Sequence, residues 1–238
     1  MNPANVIHTA GLSKSYGETR ALHNLNLKVE KGEFFGFLGP NGAGKTTTIK
    51  LLTSQIKPDE GKAEILGIDI RNDIAVKKAV GIVPEVVSLP SFLTVAEYLE
   101  FVCRIRRIDT AKIQYWLDFT ELSEDNNTLC KDLSQGMKQK LSFAAAFIHD
   151  PDLVFLDEPF ADVDPLMQNK LKKFLKAYIE REKTIFLSTH ILEIAEKLCS
   201  RIAIITKGTL IKTGTLPELL SEGKDLEEVF LNLVRKNG

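Results

Sequence analysis

The sequence predicts an α/β fold: a mostly parallel sheet covered on both faces, an antiparallel β region at the N-terminal end, and an inserted helical subdomain. Three observations carry this expectation. Late in the chain the short apolar runs LVFLDEP, TIFLSTH and RIAIITKG alternate with helical segments, the pattern of βα units that build a parallel sheet. The opening stretch alternates apolar and polar positions and turns on glycine, as antiparallel strands do. Residues 93–148 read as helix after helix. The expected division is therefore an α/β core with its antiparallel region over 1–87 and 151–220, a helical subdomain over 88–150, and a C-terminal helix over 221–238.

Taken in order, IHTAGLSKSYG and LHNLNLKVEKGE read as strands joined by a turn near Gly17, with Leu22, Leu25, Leu27 and Val29 marking apolar positions. EFFGFLGP is a short apolar run that stops at Gly-Pro, a buried strand. KTTTIKLLTSQI reads as a helix closed by Pro58 and the PDEGK turn, and AEILGIDI and VGIVPE as two further strands. TVAEYLEFVCRIRRI opens with Thr94 as N-cap and Glu97 three residues on, the spacing of a capping box. DTAKIQYWLDFTEL and LSQGMKQKLSFAAAFIH continue the helical block, which Pro151 ends. Asp164-Pro165 supplies an N-cap and a first-turn proline to the helix between the late strands. GKDLEEVFLNLVRKNG closes the chain as a short amphipathic helix.

Composition narrows the class. The chain has 238 residues, 44% hydrophobic and 26% charged, with net charge −1. That is ordinary for a globular protein with a real core, and no global basic field points to nucleic acid. Arg104, Arg106 and Arg107, and Lys170, Lys172, Lys173 and Lys176, read as solvated helix faces. No apolar run approaches the roughly 20 residues that span a bilayer, and MNPANVIHTAG lacks the charged and apolar regions of a signal peptide. Cys103, Cys130 and Cys199 lack metal-ligand spacing and read as free, mostly buried thiols in a reducing compartment. A cytoplasmic protein is the expectation.

The chemistry concentrates in GPNGAGKT, residues 39–46, which matches G-x-x-x-x-G-K-[ST] between a predicted strand and a predicted helix. Glycines there let main-chain N–H groups wrap phosphate oxygens. Lys45 places a point charge on the β- and γ-phosphates, and the Thr46 hydroxyl faces Mg²⁺. Gly39, Pro40, Asn41, Gly42, Ala43, Gly44, Lys45, Thr46 and the following Thr47 are the expected nucleotide-binding stretch. LVFLDEP supplies the partner: Asp157 ends a buried strand as the natural Mg²⁺ carboxylate, and Glu158 beside it can take the proton of an attacking water. LSQGMKQKL, residues 133–141, starts a helix with a Ser-Gln-Gly loop, and a helix start with its free N–H groups is an anion site.

With these motifs in order, the sequence resembles the ATP-binding cassette ATPases over residues 16–214, a phosphate-loop NTPase core carrying a helical insertion. LSQGMKQKL is similar to the family's signature motif. LSTH resembles its switch-histidine segment, VPE its glutamine loop, and ADVD, residues 161–164, the loop that crosses between subunits. Tyr16 stands where the family stacks an aromatic on adenine. Four positions depart from the pattern: Gln135 replaces glycine and Met137 replaces glutamine in the signature, Glu85 replaces glutamine, and Asp162 adds a charge to the crossing loop.

The resemblance implies an ATPase subunit using ATP and Mg²⁺, with Lys45, Glu158 and His190 as catalytic residues. Tyr16, Glu85, Ser134 and Gly136 join the nucleotide-binding set, and Thr46, Asp157 and Glu85 the metal set. It further implies a dimer, with itself or a related ATPase, in which Ser134 and Gly136 meet the nucleotide of a second copy. The expected partner is an integral-membrane permease, separately encoded and of exporter type, which holds the subunit at the inner face of the membrane. Its docking surface would be the helical region with the Glu85 loop. An ATPase serving a non-membrane assembly partner and a regulatory module without turnover stand as alternatives; intact Glu158 and His190 speak against the second. The sequence names no transported substrate.

Overall fold

The computed structural model describes residues 5–237; the reading of the N-terminus therefore lies partly, at residues 1–4, outside the described residues, as does Gly238 at the end of the predicted C-terminal helix. Strands β1 (Asn5–Tyr16), β2 (Thr19–Leu25) and β3 (Lys28–Glu30) lead into β4 (Phe34–Leu38) and helix α1 (Lys45–Leu52). The hairpin β5 (Glu60–Ile65) and β6 (Ile68–Asp69) is followed by α2 (Asp73–Ala79) and β7 (Val80–Val83). The helical block comprises α3 (Val95–Arg106), α4 (Ile113–Thr120) and α5 (Gln135–Phe147). Then come β8 (Leu153–Asp157), α6 (Pro165–Glu180), β9 (Thr184–Thr189), α7 (Leu192–Leu198), β10 (Arg201–Thr206), β11 (Thr209–Thr215), α8 (Leu216–Leu220) and α9 (Leu226–Asn237).

Two sheets result. The antiparallel one runs β2-β1-β5-β6 with β3 also paired to β1, and the second runs β11-β10-β4-β9-β8-β7. In the second, β10, β4, β9, β8 and β7 are parallel, and only edge strand β11 is antiparallel. Strands β4, β8 and β9 are buried along their whole length, which is why they read as continuous apolar runs rather than alternating ones. Side chains on alternate faces feed two cores. Phe35, Phe37, Phe155 and Phe186 meet the antiparallel sheet through Ile7, Leu12, Leu25 and Ile65. Phe34, Leu38, Val154, Leu156 and Leu187 face the helices. Phe186 stacks on Phe35 with ring centroids 5.6 Å apart; a fully buried ring of this kind contributes about 1.5–3 kcal/mol. Trp116, Phe143 and Phe147 of the helical block form one aromatic cluster with Phe174 of α6, with Phe143 and Phe147 at 4.4 Å.

The caps stand where the sequence puts them. Thr94 Oγ1 accepts from the Glu97 N–H at 3.2 Å while Glu97 accepts from the Thr94 N–H at 2.9 Å, and Asp164 accepts from the Met167 N–H at 2.9 Å. All three cysteines are free and buried. Other readings are corrected. The helix of KTTTIKLLTSQI stops at Leu52, well before Pro58, because Ser54 turns left-handed (φ 56°) and its hydroxyl donates to the Ile70 carbonyl. AEILGIDI is a hairpin rather than one strand, broken where Leu66 and Gly67 take φ 51° and 76°. DTAKIQYWLDFTEL splits into a 3₁₀ turn and α4. Arg106 does not belong to a solvated face: its guanidinium donates to the carbonyls of Lys78 (3.2 Å) and Val80 (3.1 Å) and lies 2.7 Å from His149 Nε2. Lys140, with its side chain 14% exposed, reaches Glu121 at 3.5 Å, where Lys170 also pairs at 3.3 Å.

Candidate functional site

Strand order builds the site. β9 lies between β4 and β8, with Leu38 opposite Thr189 and Asp157 opposite Ser188. The residues that follow β4, β8 and β9 therefore emerge side by side at the carboxyl edge, where ligands of open α/β sheets collect.

After β4 the chain wraps into the glycine-rich loop and enters α1. Gly44 is required twice over: its φ of 103° is left-handed, and an added Cβ would lie 2.4 Å from the Ala21 carbonyl oxygen. Its own carbonyl accepts from the Thr48 N–H at 2.9 Å, so α1 starts abruptly and its first N–H groups face the loop. Lys45 is buried, and its Nζ donates to the carbonyls of Gly39 (2.7 Å) and Pro40 (3.2 Å). Burial lowers its pKa, against the opposing pull of the carboxylates of Glu158, Asp157 and Glu85.

Thr46 Oγ1 donates to Glu85 Oε2 at 3.1 Å. Asp157 is 2% exposed, and among the described residues its buried Oδ1 has no hydrogen-bond partner. Burial raises the Asp157 pKa, the nearby hydroxyls of Ser188 and Thr46 oppose that, and the carboxylates of Glu85 and Glu158 add to it. An orphaned carboxylate oxygen beside a threonine hydroxyl is a pair of hard oxygen donors, and it fits Mg²⁺.

Glu158 takes φ 47°, rare for a side-chain-bearing residue. Its Oε1 accepts from the His190 main-chain N–H at 2.9 Å and lies 2.7 Å from His190 Nδ1, while Oε2 accepts from Thr189 Oγ1 at 2.9 Å. With the carboxylate ionised, the ring proton of this pair sits on Nδ1.

A cavity of ≈ 330 Å³ joins these groups, lined by Tyr16, Ala21, the loop residues Asn41, Gly42, Ala43, Gly44, Lys45, Thr46 and Thr47, and Glu85, Asp157 and Glu158. Tyr16 stands at its mouth, 49% exposed, so core packing does not explain it. Gly39 and Pro40 face inward to Lys45, and His190, more exposed than Glu158, pairs with it without lining the cavity. Ser134 and Gly136 do not line the cavity. Ser134 caps α5 by accepting the Met137 N–H at 3.2 Å, and Gly136 sits under the crossing loop, where a Cβ would meet the Asp162 carbonyl oxygen at 2.6 Å. Gly136 thus has a reason inside its own chain that sequence reading missed. Thr189 and Ala21 were missed too. Thr189 carries a signal, as the residue before His190 in LSTH; Ala21, whose carbonyl presses on Gly44, carries none.

This arrangement matches known proteins. Residues 22–161 match the family model described as ABC transporter. Nod factor export ATP-binding protein I of Rhizobium leguminosarum bv. viciae is 37% identical over 97% of this chain and 79% of its own length. Daunorubicin/doxorubicin resistance ATP-binding protein DrrA of Streptomyces peucetius is 36% identical over 92% of this chain and 68% of its own. Among solved structures, an ATP-binding subunit of an ABC transporter superposes with TM-score 0.90 at 29% identity, covering 96% of this chain and 99% of that one. The dimeric cassette MJ0796, bound to ADP and Pi in a post-hydrolysis state, superposes with TM-score 0.79 at 26% identity, covering 88% and 98%. Fold, phosphate loop and relatives agree: this chain belongs to the ABC transporter family, as one of its ATPase domains.

Proposed function

We propose that this chain powers export through a separately encoded membrane permease, dimerising around two ATP and hydrolysing them. The observation that supports it most is the convergence of Lys45 and Thr46, Asp157 and Glu158, and His190 at the ends of three adjacent strands. Tyr16 stacks on adenine at the cavity mouth. The loop N–H groups wrap the phosphates, and Lys45 turns from the Gly39 and Pro40 carbonyls to the β- and γ-phosphates. Thr46 and Asp157, with Glu85, would hold Mg²⁺, which when bound would supply charge neutralisation for phosphoryl transfer. Glu158 takes a proton from the attacking water, whose oxygen bonds to the γ-phosphorus as the bond to ADP breaks. His190 holds the γ-phosphate, and Ser134 with the start of α5 meets the γ-phosphate of a second copy. Positioning and electrostatics provide most of the rate.

No helix among the described residues is long and apolar enough to cross a membrane, so transport needs a membrane partner, and the chain would sit peripherally upon it. Residues 88–150 act as the docking subdomain. Supporting this, a groove of ≈ 330 Å³ runs between this block and the core beside the Glu85 loop, lined by Gln55, Pro84, Leu89, Tyr98, Val102 and Arg106. Val86 (80%) and Phe92 (76%) stand exposed at that loop.

Glu158→Gln tests the chemistry: ATP binding persists and hydrolysis slows by about 10²–10⁴-fold, and wild-type turnover would remove Glu158 from the role. Detergent co-purification with an integral-membrane protein tests the coupling; recovery with a non-membrane assembly instead would overturn it.

A further inference from the structure

Both oxygens of Glu158 are engaged, on different partners. Oε1 faces His190, through the main-chain N–H at 2.9 Å and the ring Nδ1 at 2.7 Å. Among the described residues Oε2 accepts from Thr189 Oγ1 alone, at 2.9 Å. Thr189 is 1% exposed, and its oxygen already accepts the Ile191 N–H at 3.1 Å. A main-chain amide only donates, so the single proton of the hydroxyl is directed to Oε2. The Glu158 backbone, at φ 47°, is secured by the preceding strand residue: its N–H donates to the Ser188 carbonyl at 3.0 Å. Consecutive residues of β9 thus hold Glu158 by its main chain and by one carboxylate oxygen. A sparsely populated backbone conformation persists only where its surroundings over-determine it.

We infer that Thr189 is a positioning residue: by holding Oε2 throughout turnover, its hydroxyl fixes the rotation of the Glu158 carboxylate that takes the water's proton. The inference rests on the reading of Glu158 as the catalytic carboxylate. In the step, a water O–H bond breaks and its proton goes to the Glu158 carboxylate. The water oxygen's electron pair forms the bond to the γ-phosphorus, and the bridging-oxygen bond breaks with its electrons leaving on ADP.

Thr189→Val keeps the shape and removes the hydroxyl. It lowers kcat by about 10- to 100-fold, the worth of a hydrogen bond to a charged group that aims a catalytic atom. KM for ATP and nucleotide affinity stay within about twofold, since ground-state binding is untouched. Thr189→Ser restores most of the rate. In a Glu158→Gln background, Thr189→Val costs less than about a further twofold, because residues acting as a unit are not additive. Wild-type kcat in Thr189→Val, a serine variant as slow as the valine one, or a full multiplicative loss in the Glu158→Gln background overturns the inference. Should Thr189→Val not fold, Thr189→Ala is read against Thr189→Ser, which share the lost methyl and differ only in the hydroxyl. A Glu158→Gln enzyme at wild-type rate removes the base assignment itself, and the inference with it. A slow Glu158→Gln beside a normal Thr189→Val removes Thr189 alone.

Discussion

Gly136 carries two separable demands, and Gly136→Ala tells them apart. Its backbone is ordinary, so space rather than φ requires glycine. The added methyl would lie 2.6 Å from the Asp162 carbonyl oxygen, where ordinary contact starts at 3.4 Å, so the crossing loop must retreat by about 0.8 Å. That oxygen belongs to main chain at φ 58°, not to the end of a flexible side chain. Overpacking of this kind costs about 1–3 kcal/mol. Alanine recovers at most about 1 kcal/mol of helix propensity, less in a first turn. Taking the middle of that cost, the net expectation is a loss of about 1 kcal/mol, seen without nucleotide as a Tm lowered by about 2–4 °C per kcal/mol for a domain of this size. Calorimetry of the isolated chain reads it. An unchanged or raised Tm would refute the clash argument. ATP-driven dimerisation, followed by size exclusion in the Glu158→Gln background, reads the second demand. It should weaken as the methyl enters the path of a second chain's phosphate. A lowered Tm with unaltered dimerisation would leave Gly136 with its intrachain role only.

Tyr16→Ala should weaken ATP and GTP together, because every base has a π face; unchanged nucleotide affinity, titrated by fluorescence, would remove the stacking role. Glu85→Ala should leave nucleotide affinity of the isolated subunit nearly intact and uncouple ATPase activity from the membrane partner. An equal loss of binding in the isolated subunit would place Glu85 wholly in the nucleotide site, a sharp question given the 3.1 Å bond from Thr46. Mixing Lys45→Ala with Ser134→Arg chains should return some ATP-driven dimerisation or activity, since one site of the mixed dimer carries both defects and the other neither. A mixture as dead as either variant, with mixed dimers shown to form, refutes the trans arrangement.

Features set by near neighbours in the chain were open to sequence reasoning. The phosphate loop is one string between a strand and a helix. The caps at Thr94 and Asp164 depend on residues three positions away, and continuous apolar runs announced β4, β8 and β9. Short elements whose stability comes from what they pack on were not: α2, α8, edge strand β11, and the break of AEILGIDI at Leu66. Charge pattern placed Arg106 in solvent because a sequence does not show which carbonyls a guanidinium will meet. The same limit applies at the site. Its motifs were legible one by one, but the strand order β4-β9-β8 brings residues 39, 158 and 189 to one edge. Only that adjacency sets Thr189 against Glu158, and only the packing of α5 sets the Asp162 carbonyl over Gly136. Hydrogen-bonding and steric rules act over a few ångströms, so the sequence by itself determined which residue types could do the chemistry. Pairing between strands far apart in the chain decided which atoms stand within reach of one another.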